Sequence, residues 1–413
     1  MISVEEAQEQ VLSRIVALDT ERVTLLESLG RVLAADVISD IDVSPFDNSA
    51  MDGYAVRFAD VRDASEASPV TLQVVDHIPA GVQPEIPVGP GQASRIMTGA
   101  PVPDGADAVV MVERTRAGSN GGSTGGTVEV LRPVTPGENI RSRGEEVREG
   151  EAVLLAGETI GPAAIGLAAS VGHDTLLVRR RPRVAIVSTG DELVEVTVKP
   201  GPGKIRNSNS HSLAAQVLQA GGEPYVLGIA RDTEEDTRAL LKRAPEFDLM
   251  VTTGGVSMGD FDVVKKVLEE MGKLDFWKVA MRPGAPQTFG TIGGTPFFGL
   301  PGNPTSTMVG FEMFVRPAIR KMAGFTALAR PRVVATLNHD TKKKSDRRYF
   351  LRGRLTRSPG GGYTAAISGN QSSALLTAMH RGNCLISLPE GESFVAAGTE
   401  VMCIRIDIEE GTA

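Results

Sequence analysis

The 413-residue sequence contains little cysteine, few aromatic side chains and no long apolar segment. Its two cysteines, Cys384 and Cys403, are too few for a disulfide framework or a cysteine-rich zinc site. No apolar run approaches the roughly 18 residues of a membrane-spanning helix. The first ten residues, MISVEEAQEQ, lack the basic start and apolar stretch of a signal peptide. We therefore expect a reduced, cytoplasmic protein.

The charge balance excludes further classes of protein. The 43 Lys and Arg are outnumbered by 51 Asp and Glu, and no long basic run occurs, which argues against nucleic-acid binding. Charged residues make up 23% and hydrophobic residues 41%, close to ordinary globular composition, so wholesale disorder is excluded. The five histidines are scattered without HxH or HExxH spacing and do not indicate a metal site.

The first 143 residues divide into a segment with a helical pattern and a longer segment with an extended pattern. Residues 1–35 are expected to be helical, beginning with a capping-box spacing of Ser3 and Glu6. The following stretch is extended and rich in turns. Within it, the glycine-rich segment 117–126 is predicted to be the loop of a surface hairpin.

From Arg183 onward, short apolar runs alternate with helical patterns. This alternation predicts βαβ units and a parallel sheet covered on both faces, including a strand pair at 276–280 and 297–300. Residues 331–413 return to β character and predict a small barrel or sandwich. At roughly 100–200 residues per domain, the length predicts about two to four domains.

Three loops follow the ends of the predicted parallel strands, where ligands of such sheets bind. Each contains glycine, which lets backbone N–H groups approach an anion, and a helix follows. The candidate anion-binding residues in these loops are Gly190, Asp191, Gly254, Gly255, Ser257, Gly302 and Asn303. None of the loops is a Walker A sequence, and no GxGxxG follows the first strand, which disfavours a dinucleotide oxidoreductase.

Carboxylates accompany these loops. Asp191, Glu192, Asp232, Asp260 and Asp262 are oxygen ligands of the kind that Mg²⁺ takes beside a phosphate. The alternative for each one is a helix N-cap or a solvated turn.

Basic residues are candidates for holding a negative substrate. Lys278 and Arg282 lie on or just after a predicted strand, although a basic pair is commonly surface charge. Arg347 and Arg348 could likewise form an exposed patch with the lysines at 342–344.

Five motifs, in this order, resemble those of the MoeA family, which comprises molybdopterin molybdenumtransferases and the E domain of gephyrin. The resemblance covers essentially the whole chain. The motifs are Asn48–Ala55 (NSAMDGYA), Met97–Pro103 (MTGAPVP), Ser188–Leu193 (STGDEL), Thr253–Ser257 (TGGVS) and Leu300–Pro304 (LPGNP).

The resemblance implies a multidomain α+β fold and an L-shaped homodimer. Domain I would be discontinuous, helical and extended, and domain II a β-rich insertion. Domain III would be a doubly wound α/β domain that binds molybdopterin, and domain IV a β-barrel. The implied limits are 1–47 with 143–180, 48–142, 181–326 and 327–413.

The resemblance also implies the reaction. With Mg²⁺, molybdate would be inserted into the dithiolene of adenylylated molybdopterin, and AMP would be released. The site would lie between domain III of one subunit and domain II of the other.

Roles follow residue by residue from the same resemblance. Those with implied catalytic roles are Asp52 and Thr98 from domain II and Glu192, Asp232, Asp262, Lys278 and Arg282 from domain III. Glu192, Asp232 and Asp262 would hold Mg²⁺. Ser306, Arg347 and Ser373 match positions that contact molybdate.

The chain departs from the family in two stretches that matter for activity. One is the run Ile205–Asn209 (IRNSN), which lacks the Tyr followed by Asp or Asn that usually precedes its polar residues. In the other, where many relatives read Lys-Pro-Gly-Lys-Pro, the chain has Arg282 and Ala285 in place of the two lysines. Ala285 removes a cation that helps bind molybdate in relatives, which leaves the activity open.

This departure motivates a second hypothesis, a gephyrin-like scaffold. The dimer would bind a hydrophobic peptide tail of a membrane receptor or of a tubulin-like cell-division protein such as FtsZ, in a groove between domains III and IV. Such a partner could recruit the protein to the membrane or the division site. Phe311, Met313 and Phe314 are candidates for that groove, with core packing as the alternative.

Overall fold

The computed structural model describes residues 1–255 and 263–408. Three six-stranded sheets account for most of the strands in these residues. Among the described residues, no helix is long and apolar enough to cross a membrane.

The N-terminal helix is shorter than predicted. It runs over Val4–Arg14, and the Ser3 and Glu6 side chains form the predicted capping box. The expected helix over residues 1–35 is wrong beyond Arg14, because Thr20–Thr24 forms a strand with alternating exposure. A β-branched threonine or valine at three of its five positions favours that strand.

Distant segments pair beside this helix through short antiparallel ladders. The pairs are Thr20–Thr24 with Thr175–Arg179, Val37–Ile38 with Ala152–Leu154, and Asn48–Ser49 with Ile140–Arg141. Helix Pro162–Ser170 packs against the second pair. Residues 23–43 therefore share a core with residues 153–178, and the segment between these two stretches is an insertion. Helix Val4–Arg14 packs instead in the core of the central sheet.

The inserted segment forms the first six-stranded sheet. Its strands, in spatial order, are Ala108–Met111, Gly53–Val56, Gln92–Ile96, Val70–Ile78, Thr127–Val130 and Thr115–Ala117. Shorter elements are the helix Phe58–Val61 and the 3₁₀ turns Val112–Arg114 and Ser119–Gly122. The predicted hairpin loop at 117–126 is confirmed, and the Tyr54 hydroxyl donates a 3.1 Å hydrogen bond to the Gly122 carbonyl within it.

The central sheet is the second. Its strands, in spatial order, are Glu223–Ala230, Arg183–Thr189, Leu249–Thr253, Thr295–Leu300, Pro286–Ile292 and Gly272–Lys278. The first four strands pair in parallel, as predicted. Strand Pro286–Ile292 pairs antiparallel with both of its neighbours, Thr295–Leu300 and Gly272–Lys278. The predicted direct pairing of 276–280 with 297–300 is wrong, because the hairpin strand Pro286–Ile292 lies between them.

Helices cover both faces of the central sheet. They are Asn209–Gln219, Glu234–Leu241, Val263–Met271, Pro304–Gly310 and Arg316–Met322, with a π-helical turn at Phe311–Val315 and a 3₁₀ turn at Ala244–Glu246. Along the strand from Arg183, Val184 and Ile186 enter one apolar core and Ala185 and Val187 enter the other. This alternation explains the continuous apolar run in the sequence.

The C-terminal region is a closed barrel, which decides between the two predicted β architectures. Its strands are Arg332–Leu337, Arg348–Arg357, Tyr363–Ile367, Cys384–Leu388 and Glu400–Arg405. Closure comes from pairing of the second strand with the fourth. The short elements here are Thr341–Lys342, Phe394–Val395 and the helix Thr377–Arg381. Strand Met281–Arg282 pairs in parallel with Arg348–Tyr349 and so joins the barrel to the central region.

Candidate functional site

A cavity of about 1620 Å³ opens between the strand-end loops of the central sheet and the barrel. Most of the predicted site residues line it. Those residues are Gly190, Glu192, Asp232, Gly254, Gly255, Arg282, Gly302, Asn303, Ser306, Arg347 and Ser373. Three more candidates, Ser257, Asp260 and Asp262, lie outside the described residues.

The glycine loops converge closely on the central-sheet side of the cavity. Gly254 has a φ of +93°, and a Cβ built on it would lie 2.5 Å from the Thr189 carbonyl oxygen. A Cβ on Gly302 would lie 3.5 Å from the Gly254 Cα. The three loops therefore touch, and only a residue without a side chain fits at position 254. The N–H groups of Gly190 and Gly254 are used within the sheet, where they donate to the carbonyls of Ala230 and Leu300 at 3.2 and 3.0 Å.

Asn209, at the start of its helix, fastens two of these loops together. Its side-chain amide donates hydrogen bonds of 2.8 Å to the Thr253 hydroxyl and of 2.8 Å to the Gly302 carbonyl. The residue also lines the cavity. One side chain thereby sets the spacing between the loops that follow two neighbouring strands.

The carboxylates stand on the same side. Asp191 and Asp232 are linked reciprocally, each backbone N–H donating to the other's carboxylate at 3.2 and 3.3 Å. Glu192 folds back over Gly190, so that a Cβ on that glycine would lie 2.4 Å from its Oε2. Glu192 and Asp232 line the cavity. We call these carboxylates and the glycine loops the acidic wall.

Mg²⁺ fits the acidic wall in the chemistry of its donors. Glu192 and Asp232 offer two carboxylates beside backbone suited to phosphate, and Mg²⁺ commonly takes one or two carboxylates plus substrate oxygens and water. Over residues 1–255 and 263–408, no group of three His, Cys, Asp or Glu side chains is placed to hold a metal alone. A substrate phosphate would suit the remaining coordination of an ion held by Glu192 and Asp232.

The barrel side of the cavity contains a buried cation, Arg352. Its side chain is 1% exposed, and burial lowers its pKa to about 10. Its guanidinium donates two long hydrogen bonds of 3.4 Å, to the carbonyls of Phe350 and Ser372, and its Nε has no partner. In the part of the chain that the structure describes, no carboxylate pairs with it. A buried cation without a counter-charge is costly unless an anionic ligand supplies one.

Two serines approach each other near this arginine. The Thr305 N–H donates a 3.0 Å hydrogen bond to the Ser373 carbonyl, and the Thr305 hydroxyl donates a 2.8 Å bond to the Leu375 carbonyl. These bonds dock the barrel loop on the helix that begins at Pro304. Ser306 and Ser373, which both line the cavity, therefore belong to two segments that are in contact.

Arg282 is held by an aromatic side chain. Its guanidinium carbon lies 5.4 Å from the centre of the Tyr349 ring, and its Nη1 donates a 3.3 Å hydrogen bond to the Tyr349 hydroxyl. Arg347, Lys342 and Lys344 also line the cavity. Together with Arg352, these residues form what we call the basic wall.

Four predicted site residues do not line the cavity: Asp52, Thr98, Asp191 and Lys278. Asp52 and Thr98 do meet each other, in the inserted sheet. The Thr98 N–H and hydroxyl donate to Asp52 Oδ1 at 2.8 and 2.9 Å, and these bonds, the N–H bond first, lower the pKa of Asp52. Asp191 adjoins the cavity through its bonds to Asp232, whereas Lys278 ends an edge strand of the central sheet.

The proposed peptide groove is wrong in its residues. Phe311, Met313 and Phe314 are buried in the main apolar core, with exposures of 0%, 5% and 2%. Such side chains are unavailable to a peptide without disruption of the core.

The sequence patterns missed several lining residues that the fold brings together. They include Thr189, Asn209, Lys342, Lys344, Tyr349, Arg352 and Gln371. Asn209 belongs to a polar run, Asn207-Ser208-Asn209-Ser210, that precedes a helix and could have marked a loop contact. Arg352 gave no signal, because an arginine in a barrel strand is ordinarily exposed.

Three family models match the chain, and together they span most of it. They are the MoeA N-terminal region (domains I and II) over residues 2–172, a probable molybdopterin-binding domain over 185–321, and the MoeA C-terminal region (domain IV) over 334–406. The matched regions, the three sheets and the cavity describe a class of multidomain α+β proteins with a molybdopterin-binding-like core.

Whole-chain relatives agree. The chain is 40% identical to a molybdopterin molybdenumtransferase of a Nostoc species, over 94% of this chain and 89% of the relative, and 39% identical to that of Bacillus subtilis, over 95% and 91%. The crystal structure of a molybdopterin biosynthesis MoeA protein from Pyrococcus horikoshii superimposes with a TM-score of 0.83 at 34% identity, covering 98% and 99% of the two chains.

The chain therefore belongs to the MoeA family of molybdopterin molybdenumtransferases. The predicted family, the predicted fold class and the predicted class of enzyme, a transferase, are confirmed.

Proposed function

We propose that this protein inserts molybdenum into molybdopterin during cofactor biosynthesis. Its substrates are molybdate and adenylylated molybdopterin, Mg²⁺ is required, and AMP is released. The observation that carries the proposal is the two-sided cavity. An acidic wall of glycine loops and carboxylates faces a basic wall that holds a buried, unpaired arginine.

The acidic wall binds the adenylylated phosphate. We assign the phosphate oxygens to the backbone N–H groups of Gly255 and Gly302, which line the cavity. The N–H groups of Gly190 and Gly254 are already used, since they donate to the carbonyls of Ala230 and Leu300. Glu192 and Asp232 would hold Mg²⁺, and the ion would supply positive charge to offset that of the phosphate. Asn209 keeps the loops at the spacing that this ligand needs.

The basic wall binds molybdate. Arg352 supplies a cation with unused hydrogen-bonding capacity, and Ser306 and Ser373 offer hydroxyl groups beside it. An oxyanion there restores the counter-charge that the guanidinium lacks. The protein's contribution is thus mainly to position two anions in one cavity, with the dithiolene between them.

The other cations of the basic wall compensate for the alanine at position 285, where many relatives have lysine. Ala285 lines the cavity, so the missing cation belonged to this site. Arg282, Arg347 and Arg352 remain on the same wall as cationic side chains. We therefore expect activity to survive the substitution, with weakened affinity for molybdate.

We further propose a homodimer in which the inserted sheet of one subunit, with Asp52 and Thr98, faces the cavity of the other. Helix Pro162–Ser170 supports an interface, because it is apolar along its length yet only Ala168 is buried. The neighbouring Leu155 is 52% exposed. Exposed apolar surface is one mark of an association site. The proposed domain limits are 1–47 with 143–180, 48–142, 181–326 and 327–413.

The test is AMP release from adenylylated molybdopterin by the purified protein, titrated with molybdate in the presence and absence of Mg²⁺. Ala285→Lys is measured alongside. Turnover by the wild type that requires both ions supports the proposal. Turnover by Ala285→Lys alone contradicts it for the natural chain and redirects attention to peptide partners.

A further inference from the structure

Two exposed cations, Lys204 and Arg231, stand beside the acidic wall without pairing with its carboxylates. Arg231 directly precedes Asp232 in the chain. Within the described part of the chain, neither cation forms an ion pair, whereas Arg238 on the helix that follows pairs with Glu270. The two cations direct their hydrogen bonds elsewhere.

Both side chains donate to main-chain carbonyls of the loop that carries Glu192. The Lys204 Nζ donates a 2.7 Å hydrogen bond to the Asp191 carbonyl. The Arg231 Nη1 donates to the same carbonyl at 3.3 Å and to the Leu193 carbonyl at 3.2 Å. The loop is therefore held on both sides of Glu192, by side chains that do not themselves line the cavity.

The other two carbonyls of this loop are engaged as well. The Glu192 carbonyl accepts a 2.8 Å hydrogen bond from the Ile205 N–H, and the Val194 carbonyl accepts a 2.9 Å bond from the Asn207 N–H. All four carbonyls from position 191 to position 194 thus have partners. Because side-chain rotamers depend on the main-chain angles, a main chain held in this way restricts the direction of the Glu192 side chain.

Arg231 also joins the two loops that supply the carboxylates. Its own loop carries Asp232 and follows the edge strand of the parallel sheet, and the loop that it holds carries Glu192 and follows the neighbouring strand. The reciprocal hydrogen bonds between Asp191 and Asp232 reinforce this joint. Since the Arg231 guanidinium donates to carbonyls, it leaves both carboxylates to a metal ion.

We propose that Arg231, assisted by Lys204, is a positioning residue that sets the spacing and direction of the two carboxylates that hold Mg²⁺. This inference deepens the proposed function and rests on its Mg²⁺ site. Arg231 acts through the main chain of the loop and touches neither the metal ion nor the substrate. Residues that orient metal ligands in this way commonly raise metal affinity about tenfold or more.

The charge of Arg231 and its positioning role have opposite effects on metal binding. A positive charge beside a metal site repels the metal ion, so removing that charge alone strengthens the binding of a divalent cation. Loss of the positioning weakens the binding. The direction of the change therefore identifies the role.

The test compares the double variant Arg231→Met/Lys204→Met with the control Lys199→Met/Lys242→Met, which removes the same charge from two exposed lysines of the same region. The probe is Mn²⁺ alone, titrated into the purified protein and followed by the EPR signal of the free ion. The Mg²⁺ concentration for half-maximal AMP release, the KM for molybdate and the unfolding temperature are measured beside it.

We expect the dissociation constant for Mn²⁺ to rise about tenfold in the double variant, and the Mg²⁺ requirement to rise with it. The KM for molybdate and the unfolding temperature should stay as in the wild type. In the control, the dissociation constant for Mn²⁺ should be unchanged or lower. An unchanged or lower constant in the double variant, or an equal rise in both, overturns the positioning role while the proposed function stands.

The other outcomes are also decisive. If the double variant does not fold, Arg231→Met alone is titrated and judged by the same criterion. A wild type that binds no Mn²⁺ and releases AMP without a divalent ion removes the Mg²⁺ site and this inference together, while molybdenum insertion stands. A wild type that binds Mn²⁺ but releases no AMP contradicts the proposed function, and the Mn²⁺ titration then judges Arg231. If it does neither, both proposals fall.

Discussion

The two walls of the cavity are built by different means, although both face an anion in the proposed reaction. The acidic wall uses backbone loops at the ends of parallel strands, with side chains such as Asn209 serving to hold the loops. The basic wall uses long cationic side chains from the barrel, of which Arg352 is fully buried. Backbone is suited to a fixed phosphate, whereas a buried guanidinium is suited to an anion that must arrive and be consumed.

The difference extends to charge compensation. On the acidic wall, carboxylates are placed to bring in a cation between the protein and a phosphate. The basic wall has cations that no carboxylate of the described residues neutralises. The protein thus leaves each wall to be completed by a ligand of opposite sign, and changes to each wall should affect different ligands.

The largest effect should come from Arg352. Replacing it by methionine in Arg352→Met keeps much of the volume but removes the cation. Molybdate-dependent AMP release should fall at least about a hundredfold, as for the loss of one oxyanion-stabilising group. Arg352→Lys should recover only part of the rate, because an ammonium group cannot reproduce the planar fork.

The same variant separates binding from folding. Because the guanidinium is buried without a counter-charge, Arg352→Met should unfold at the same temperature as the wild type or higher. Arg354→Met, on the exposed side of the same strand, serves as control. Undiminished turnover in Arg352→Met would break the assignment of the basic wall to molybdate.

The next largest effect should come from the acidic wall. In Glu192→Gln/Asp232→Asn, the Mg²⁺ concentration for half-maximal AMP release should rise about tenfold or more, because two charged oxygen ligands are lost. The KM for molybdate should change little. The exposed Glu195→Gln is the matched control, and an unchanged Mg²⁺ titration would show that the ion binds elsewhere.

Asn209→Ala should have a smaller effect on AMP release, because it changes only the spacing of the loops. It removes two hydrogen bonds, each worth about 1 kcal/mol, from loops that hold the phosphate. We expect the KM for adenylylated molybdopterin to rise about fivefold to tenfold, with the KM for molybdate unaffected. His211→Ala, exposed on the same helix, controls for the helix itself. Equal changes in both KM values would mean that the walls are not independent.

The smallest effect concerns Asp52, which lies outside both walls. Two hydrogen bonds from Thr98 hold its pKa below the ordinary value of 3.8. Thr98→Val removes the hydroxyl bond and keeps the N–H bond, so the pKa should rise only part of the way back.

The sign of the accompanying pH effect follows from the lowered pKa. Whatever stability the pair contributes is present above the ordinary pKa and is lost as pH falls through the lowered value. The difference in stability between the variant and the wild type should therefore change with pH only below about pH 4. An NMR titration of the Asp52 carboxyl group measures the shift, and a pKa that does not rise would contradict the hydrogen-bonded geometry.

The acidic wall was largely predictable from the sequence, whereas the basic wall was predictable only at Arg282 and Arg347 and not at Arg352. Glycines and carboxylates that follow apolar strands can be located from local sequence spacing. A parallel sheet then brings the ends of its strands, and so these residues, together. Arg352 depends on barrel closure and on a loop at Ser372, which no local pattern encodes. The family resemblance indicated Arg347, which lines the cavity, but it did not indicate the buried Arg352.

The fold shows the same division. Alternating apolar strands and helices predicted the parallel part of the central sheet, but the hairpin strand Pro286–Ile292 was missed. It is buried within the sheet, and its pattern is interrupted by Gly290. The helical pattern predicted an N-terminal helix that continues past Arg14, which is wrong. Residues Thr20–Thr24 form a strand because they pair with Thr175–Arg179, some 150 residues away in the sequence. Local sequence does not report such distant pairing.

The most direct test of the two-wall account is a crystal structure of the protein with molybdate, AMP and Mg²⁺, with molybdenum located by its anomalous scattering. The account predicts molybdenum on the basic wall, its oxygens within hydrogen-bonding distance of the Arg352 guanidinium, and the AMP phosphate on the loops at Gly254 and Gly302. Molybdenum on the glycine loops, or a phosphate on Arg352, would contradict it.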